Sequence, residues 1–258
     1  MSSNDLPRYW TRRSLVALAG LAAAGAAGGA LAQNAPNAAA NMQKSPGTPT
    51  ADPAPIDVAV VLAAHNTLID FAGPWEILSS SGRFDVYSVA ASRDPVICDD
   101  GRGLDTRRPV SGLTVVPDFR FEDAPPPRII IVGGQDEGET QAGKAAQARK
   151  LDWLRGASSR AQLTASVCVG AFVLADAGLL DGHSATTNRN AYDAFQKAYP
   201  KVKLVRGVRF VESGPVATST GLTAGIDLAL RITQRFCGDA VAQKMAVYEE
   251  WPGKDWRV

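Results

Sequence analysis

The sequence predicts an α/β fold, a three-layer sandwich with a mostly parallel central sheet and a nucleophile elbow. Short runs such as 56–62 and 129–132 are β-branched and apolar almost throughout, as expected of strands that are buried on both faces. Segments of helical periodicity separate these runs, which is the chain order of parallel α/β units. At 166–170 a strand passes through a tight turn into a helix, which is the context of a nucleophile elbow.

The elements can be assigned in order along the chain. The 56–62 run opens the sheet, 71–81 has helical spacing, and 84–90 alternates like a strand. The stretch 94–120 is a β-rich excursion, because many Gly, Pro and Asp residues separate its short apolar pieces. We predict further strands at 129–132, 162–166, 202–205, 210–213 and 216–219, and further helices at 142–155, 171–177, 192–198, 224–236 and 239–247.

The N-terminal segment differs in composition from the rest of the chain. Arg12 and Arg13 precede a run rich in Gly and Ala that ends in the small-residue motif Ala30-Leu31-Ala32. This pattern predicts a twin-arginine signal peptide at 1–32, with a membrane anchor as the alternative. We therefore expect a bacterial periplasmic or secreted protein without stable membrane insertion after signal removal.

The remaining boundaries follow from composition. Residues 33–55 contain almost no large apolar side chain and are predicted to form a disordered linker. The folded domain is expected at 56–250, followed by a C-terminal tail at 251–258. The chain has 27 basic and 26 acidic residues, and a domain this close to neutrality has no electrostatic footprint for nucleic acid.

Four segments carry a resemblance to a known family. They are IDFAGPWEIL at 69–78, IIIVGG at 129–134, SVCVGAFVLADAGLLDGHSATT at 166–187 and GLTAGIDLAL at 221–230. Their order and spacing over residues 56–250 resemble the ThiJ/PfpI superfamily, the class I glutamine amidotransferase-like fold. The nearest branch resembles isonitrile hydratase together with the amidotransferase-like domains of some transcription regulators. The superfamily hosts many activities on one fold.

Cys168 and Asp70 are the candidate catalytic residues. Cys168 stands at the first turn of a helix, where unpaired amides favour a thiolate, so we expect its pKa to lie below the reference of about 8.5. The alternative is a buried structural cysteine. Asp70 follows the first strand among apolar residues and either caps the next helix or, as the resemblance implies, lies against the cysteine sulfur. Burial there would raise the pKa of Asp70 and let it act as a general acid.

Four further residues are predicted to bind the substrate or an oxyanion. Gly133 and Gly134 follow a buried strand and, with the amide of Val169, offer an anion hole; a plain strand-to-loop turn is the alternative. The fourth is Asn188, which stands after Ala-Thr-Thr, where many superfamily members carry the histidine of a Cys–His pair.

The pattern of this chain departs from the family in two places. Asn188 replaces that histidine, and Val169 stands where isonitrile hydratases carry a threonine whose hydroxyl could bond within the site. The two histidines of the chain do not fill the gap: His183 is predicted in a solvated turn, and His65 at the end of the first strand. A Cys–His protease or glutaminase triad is therefore weakly supported.

The resemblance implies a small-molecule substrate and no cofactor. No metal is expected either, since paired His/Cys ligands at metal spacing are missing from the sequence. The expected activity is hydration of an isonitrile to an N-substituted formamide with Cys168 as nucleophile. A glyoxalase or amide hydrolase of the same superfamily and a non-catalytic ligand- or redox-sensing domain stay open as alternatives. A homodimer is expected, with the apolar helix at 71–78 as candidate contact. Cys98 and Cys237 either form a disulfide or are two unpaired structural cysteines.

Overall fold

The computed structural model describes residues 54–99 and 112–257. The predicted signal peptide, nearly all of the predicted linker and residues 100–111 of the predicted excursion lie outside the described residues. The strands are β1 (Ile56–Val61), β2 (His65–Thr67), β3 (Phe84–Ala90), β4 (Val96–Asp99), β5 (Leu113–Val115), β6 (Phe119–Arg120), β7 (Ile129–Val132), β8 (Gln135–Asp136), β9 (Leu163–Val167), β10 (Ser184–Ala185), β11 (Lys203–Leu204), β12 (Phe210–Ser213) and β13 (Val216–Ser219). The helices are α1 (Leu68–Ser80), α2 (Gln141–Ser158), α3 (Gly170–Asp176), α4 (Tyr192–Ala198), α5 (Ala224–Cys237) and α6 (Asp239–Tyr248), and a 3₁₀ turn spans Arg189–Ala191.

The central sheet confirms the predicted fold class. Among the described residues its order is β12-β13-β9-β7-β1-β3-β6, and only the β12–β13 pair is antiparallel. The middle strands β7 and β9 are buried along their whole length, which fits the continuous apolar run of β7 and the small residues of β9. One face of the sheet packs against α1, α5 and α6, and the other against α2, α3 and α4. These are the three layers of the sandwich.

A second, four-stranded sheet stands beside the central one in the order β5-β4-β2-β8. The sequence predicts part of it, since β4 and β5 belong to the β-rich excursion. It does not predict β2 or β8, because runs of two or three residues show no periodicity. His65 opens β2 and does not end β1 as predicted. The Asn66 side chain closes the connection by accepting a hydrogen bond from the amide of Ala63 and donating one to its carbonyl.

Helix α1 begins at Leu68, three residues before its predicted start, so that Asp70 lies in its first turn. The predicted dimer contact at 71–78 stays a prediction, and the apolar stripe of this helix faces inward. Phe71, Ile77 and Leu78 are buried in the core of their own chain, on the face of the sheet that also holds α5. The reason is that a helix beside a buried sheet turns its apolar stripe towards that sheet.

The C-terminal residues pack onto the domain. Trp256 is 2% exposed, and the indole N–H of Trp251 donates to Oδ1 of Asp227 in α5 at 2.9 Å. Within residues 54–99 and 112–257, no helix combines the length and apolarity that crossing a bilayer requires.

A buried ion pair ties α2 to the segment after β8. Lys150 Nζ lies 3.0 Å from Glu137 Oε1, and the two side chains are 0% and 7% exposed. The other carboxylate oxygen of Glu137 accepts the Ala64 amide at 3.1 Å. Burial lowers the pKa of Lys150, and the charge of Glu137 opposes that shift. Each charge therefore depends on the other, because an unpaired charge in the core is costly.

We predict that Lys150→Met and Glu137→Gln each lower the free energy of unfolding by roughly 3–5 kcal/mol, because each leaves one buried charge uncompensated. The double variant should cost less than the two single losses together. Urea denaturation measures all three. Asp123→Asn is the control, since it breaks an ion pair with Arg120 that is about half exposed and should change stability by less than about 1 kcal/mol. Additive losses in the double variant would contradict the pairing.

Candidate active site

Cys168 occupies the elbow between β9 and α3 with a backbone φ of 60°. This left-handed conformation is uncommon for a residue with a side chain, and it persists only where the surroundings fix it. The amide of Cys168 donates to the Ser219 carbonyl at 3.1 Å, and its carbonyl accepts from Thr187 Oγ1 at 3.0 Å. These two hydrogen bonds, one from the N–H of Cys168 and one to its carbonyl, hold the elbow in place.

Two glycines make room for the elbow. A Cβ on Gly170 would lie 2.2 Å from the Val132 carbonyl oxygen, so α3 can start this close to β7 only with glycine there. Gly221 has a φ of 121°, and a Cβ on it would lie 3.0 Å from the sulfur of Cys168. The strand–turn–helix predicted from the small flanking residues is therefore present. Gly221, which the sequence analysis left without a role, covers one side of the thiol.

Asp70 is completely buried and is not a helix cap. Its Oδ2 accepts the Gly134 amide at 2.9 Å, and its Oδ1 accepts the Leu222 amide at 3.1 Å. Neither donor belongs to α1, which excludes the capping interpretation. The carboxylate also lies close enough to the Cys168 thiol for each group to shift the pKa of the other. Asp70 and Cys168, 98 positions apart in the sequence, thus meet at the carboxyl edge of the sheet.

Burial raises the pKa of Asp70, as expected, while the amides of Gly134 and Leu222 act in the opposite direction. The expectation for Cys168 was wrong in sign. Burial first, and then the negative charge of Asp70, raise the pKa of the thiol to about 11. The physical reason is that the thiol is only 6% exposed and faces a carboxylate, and these effects outweigh the donors around it.

The two groups therefore titrate as a pair. A charged Asp70 opposes loss of the thiol proton, and a thiolate would oppose ionisation of the carboxyl. Two backbone amides stabilise the carboxylate of Asp70, against the burial that raises its pKa. Moving the thiol proton from sulfur to carboxylate changes no net charge, so the buried site can form a thiolate without taking up or releasing a proton.

Asn188 approaches the sulfur from the other side. Its Nδ2 donates to Cys168 Sγ at 3.3 Å. The direction of the amide is fixed because Oδ1 accepts the Asn190 amide at 3.0 Å, within the 3₁₀ turn. Both Asn188 and the backbone amide of Val169 lower the pKa of Cys168, against the larger effects above. The position where resembling proteins carry histidine thus supplies a neutral donor to sulfur.

The predicted anion hole is rearranged. The amide of Gly134 is committed to Asp70, and a Cβ on Gly133 would lie 3.0 Å from the Asp70 Cβ. The two glycines therefore support the carboxylate, and they do not present a pair of free donors. The donors that face the sulfur are Val169 N–H and the Asn188 amide. Val169 and Asn188 thus lie beside the sulfur, whereas the amide of Gly134 holds the carboxylate of Asp70.

His183 is half-buried and not solvated as predicted, and its Nδ1 lies 3.2 Å from Ser213 Oγ. Leu222 was missed as a site residue, although it lies in the GLTAGIDLAL segment; no local pattern marks a backbone amide that serves an aspartate 152 positions away. In the two described stretches, no three His, Cys, Asp or Glu side chains are grouped so that they could hold a metal ion.

Comparison with known proteins is consistent with this architecture. A profile of the DJ-1/PfpI family matches residues 57–235. The sequence is 32% identical over 199 residues to isonitrile hydratase from Pseudomonas putida, covering 76% of this chain and 78% of that protein. It is 26% identical over 208 residues to the HTH-type transcriptional regulator GbdR from Pseudomonas aeruginosa, covering 80% of this chain but 54% of the regulator.

Solved structures share the fold. A ThiJ/PfpI family protein from Pseudomonas syringae superposes with a TM-score of 0.62 at 24% identity, covering 83% of this chain and 85% of that one. Oxidized DJ-1 from Toxoplasma gondii gives a TM-score of 0.58 at 19% identity, covering 77% of this chain and all of that one. With the elbow, the buried carboxyl and the matched profile in agreement, the chain belongs to the DJ-1/PfpI family.

Proposed function

We propose that this protein is a cysteine-dependent hydratase that converts an isonitrile into an N-substituted formamide. The observation that carries the proposal is the buried Cys168–Asp70 pair, which can pass one proton between sulfur and oxygen at constant charge. The similarity to isonitrile hydratase over most of both chains supports it.

The first step adds the thiol across the terminal carbon of the isonitrile. Asp70 takes the proton from Sγ, and the thiolate attacks the carbon, forming the C–S bond. The same proton then passes from Asp70 to that carbon, which gives a thioimidate and restores the carboxylate. Asp70 acts first as base and then as acid, a role that suits a carboxyl whose pKa is raised.

The second step releases the product. Water adds to the thioimidate carbon and one of its protons goes to the nitrogen. The C–S bond then breaks, the other proton of the water returns to the sulfur, and the N-substituted formamide leaves. The amides of Val169 and Asn188 face Sγ, so they stabilise the thiolate both before attack and at its release. No histidine is needed in this scheme, because Asp70 carries out each proton transfer at the reacting carbon.

A ligand-sensing domain without turnover is the second candidate. The observation in its favour is the similarity to two HTH-type regulators, CdhR and GbdR, in which the shared part is a fraction of the protein. A sensing domain needs a pocket and a covalent or hydrogen-bonding contact, but no proton transfer to carbon. Isonitrile turnover by the unmodified protein separates the two candidates.

We further propose that the protein is exported and forms a homodimer. Arg12 and Arg13 support export, and the apolar side chains of Ile69 and Leu222, 37% and 46% exposed beside Asp70, support a partner surface. Changing both arginines to lysine should leave uncut protein in the cytoplasm, as measured by fractionation. Unimpaired export of the variant would contradict the export proposal.

Light scattering should report a dimer. A monomer at micromolar concentration would contradict the homodimer proposal.

The test of the chemistry is Asp70→Asn. Asparagine keeps the shape but can neither take the thiol proton nor deliver it, so turnover of a simple alkyl isonitrile should fall by about 100-fold or more. Cys168→Ala should abolish turnover. Asp85→Asn is the matched control, because Asp85 is an exposed residue near the start of β3, at the opposite end of the sheet.

Melting temperatures of the same variants separate chemistry from folding. Unchanged turnover in a folded Asp70→Asn protein would remove Asp70 from the mechanism. Absence of turnover in the unmodified protein, across simple isonitriles, would favour the sensing domain.

A further inference from the structure

A pocket of about 540 Å³ opens beside the elbow, on the side of α3 and β8. Val169, which directly follows the reacting cysteine and whose amide faces its sulfur, is one of the residues that line this pocket. Phe172 and Val173 add apolar lining from α3. The volume lies within the range of small-molecule sites. A group attached to a molecule bound at Sγ would find this space next to it.

The rim of the pocket is acidic. Four acidic residues line it, and Lys144 is the basic residue among those that line it. The acidic residues are Asp136, Glu137, Glu139 and Asp176. Lys144 lies 3.7 Å from Glu139, but both side chains are largely exposed, so water and salt weaken their attraction. Even with Lys150 counted behind Glu137, two negative charges remain in excess.

Gln135 is an independent sign that the pocket accepts a ligand. Both atoms of its side-chain amide are buried, and among the described residues neither has a hydrogen-bond partner. A buried amide without partners is costly, and nearly all such groups in native proteins bond to protein, to water or to a bound group. Gln135 directly follows Gly134, the residue that holds Asp70, and it lines the same pocket as Val169.

On the basis of the proposed function, we propose that this pocket receives the N-substituent of the isonitrile, and that this substituent is an alkyl chain ending in an ammonium group. The methylenes would lie on Val169, Phe172 and Val173. The ammonium would reach the acidic rim and donate to Gln135 Oε1. Val169 has no hydroxyl, so this part of the lining is apolar.

A charge-selective thiol assay tests the pocket without any isonitrile. Cys168 in the full chain is modified at low ionic strength with methanethiosulfonates that carry a trimethylammonium, a sulfonate or no charge, and peptide mapping separates it from Cys98 and Cys237. Relative to the neutral reagent, the cationic one should react faster and the anionic one more slowly. Because Asp70 also attracts cations, the decisive comparison is between variants.

Glu139→Gln and Asp176→Asn should each reduce the cationic-to-anionic rate ratio by roughly threefold, the effect of one nearby surface charge at low salt. Asp85→Asn should leave the ratio unchanged. An anionic preference, or a ratio that neither rim variant moves, would overturn the acidic subsite.

The second arm uses substrates. In kcat/KM, an aminoalkyl isonitrile should exceed the alkyl isonitrile of equal length by about tenfold, and Gln135→Leu should reduce that advantage with little change for the alkyl compound. Failure of both compounds to react, with the thiol assay still selective, would count against the hydratase and not against the pocket. Turnover of both without preference would overturn the substituent proposal and leave the hydratase standing.

Discussion

The site depends on one contact, between a thiol and a carboxylate that are both removed from water. In bulk solvent neither group would influence the other much. Behind a strained elbow, with Cys168 6% exposed and Asp70 buried completely, each group shifts the pKa of the other. The surrounding residues hold this pair in place. The amides of Gly134 and Leu222 donate to the carboxylate, and the side-chain amide of Asn188 donates to the sulfur.

The fold makes this contact because parallel strands end at the same edge. β1, β7, β9 and β13 are neighbours or near neighbours in the sheet, and the segments that follow them supply Asp70, Gly134, Cys168 and Leu222 respectively. The short strands β2 and β8 pair antiparallel and bring the start of α1 against the Gly133–Gly134 turn. A carboxyl that is distant in sequence is thereby placed beside the elbow.

Much of this was predictable, and what was not has identifiable causes. Largely apolar, β-branched runs marked β1 and β7, and small residues around Cys168 marked the elbow, because these signals are local. The destination of the Gly134 amide and the involvement of Leu222 depend on tertiary contacts that no local pattern encodes. The thiol pKa was predicted with the wrong sign for the same reason: a helix N-terminus is visible in the sequence, but burial and a facing carboxylate are not.

The most direct test of the account is the pKa of the Cys168 thiol in the unmodified protein and in Asp70→Asn, measured from the pH dependence of iodoacetamide alkylation over the range in which circular dichroism shows an intact fold. The account predicts a pKa of about 11 in the unmodified protein and a lower value in the variant, because the negative charge that helps to retain the proton is gone. Asp70→Asn should thus be more readily alkylated near neutral pH and yet catalytically impaired. A thiol pKa that stays the same or rises in Asp70→Asn would contradict the shared proton.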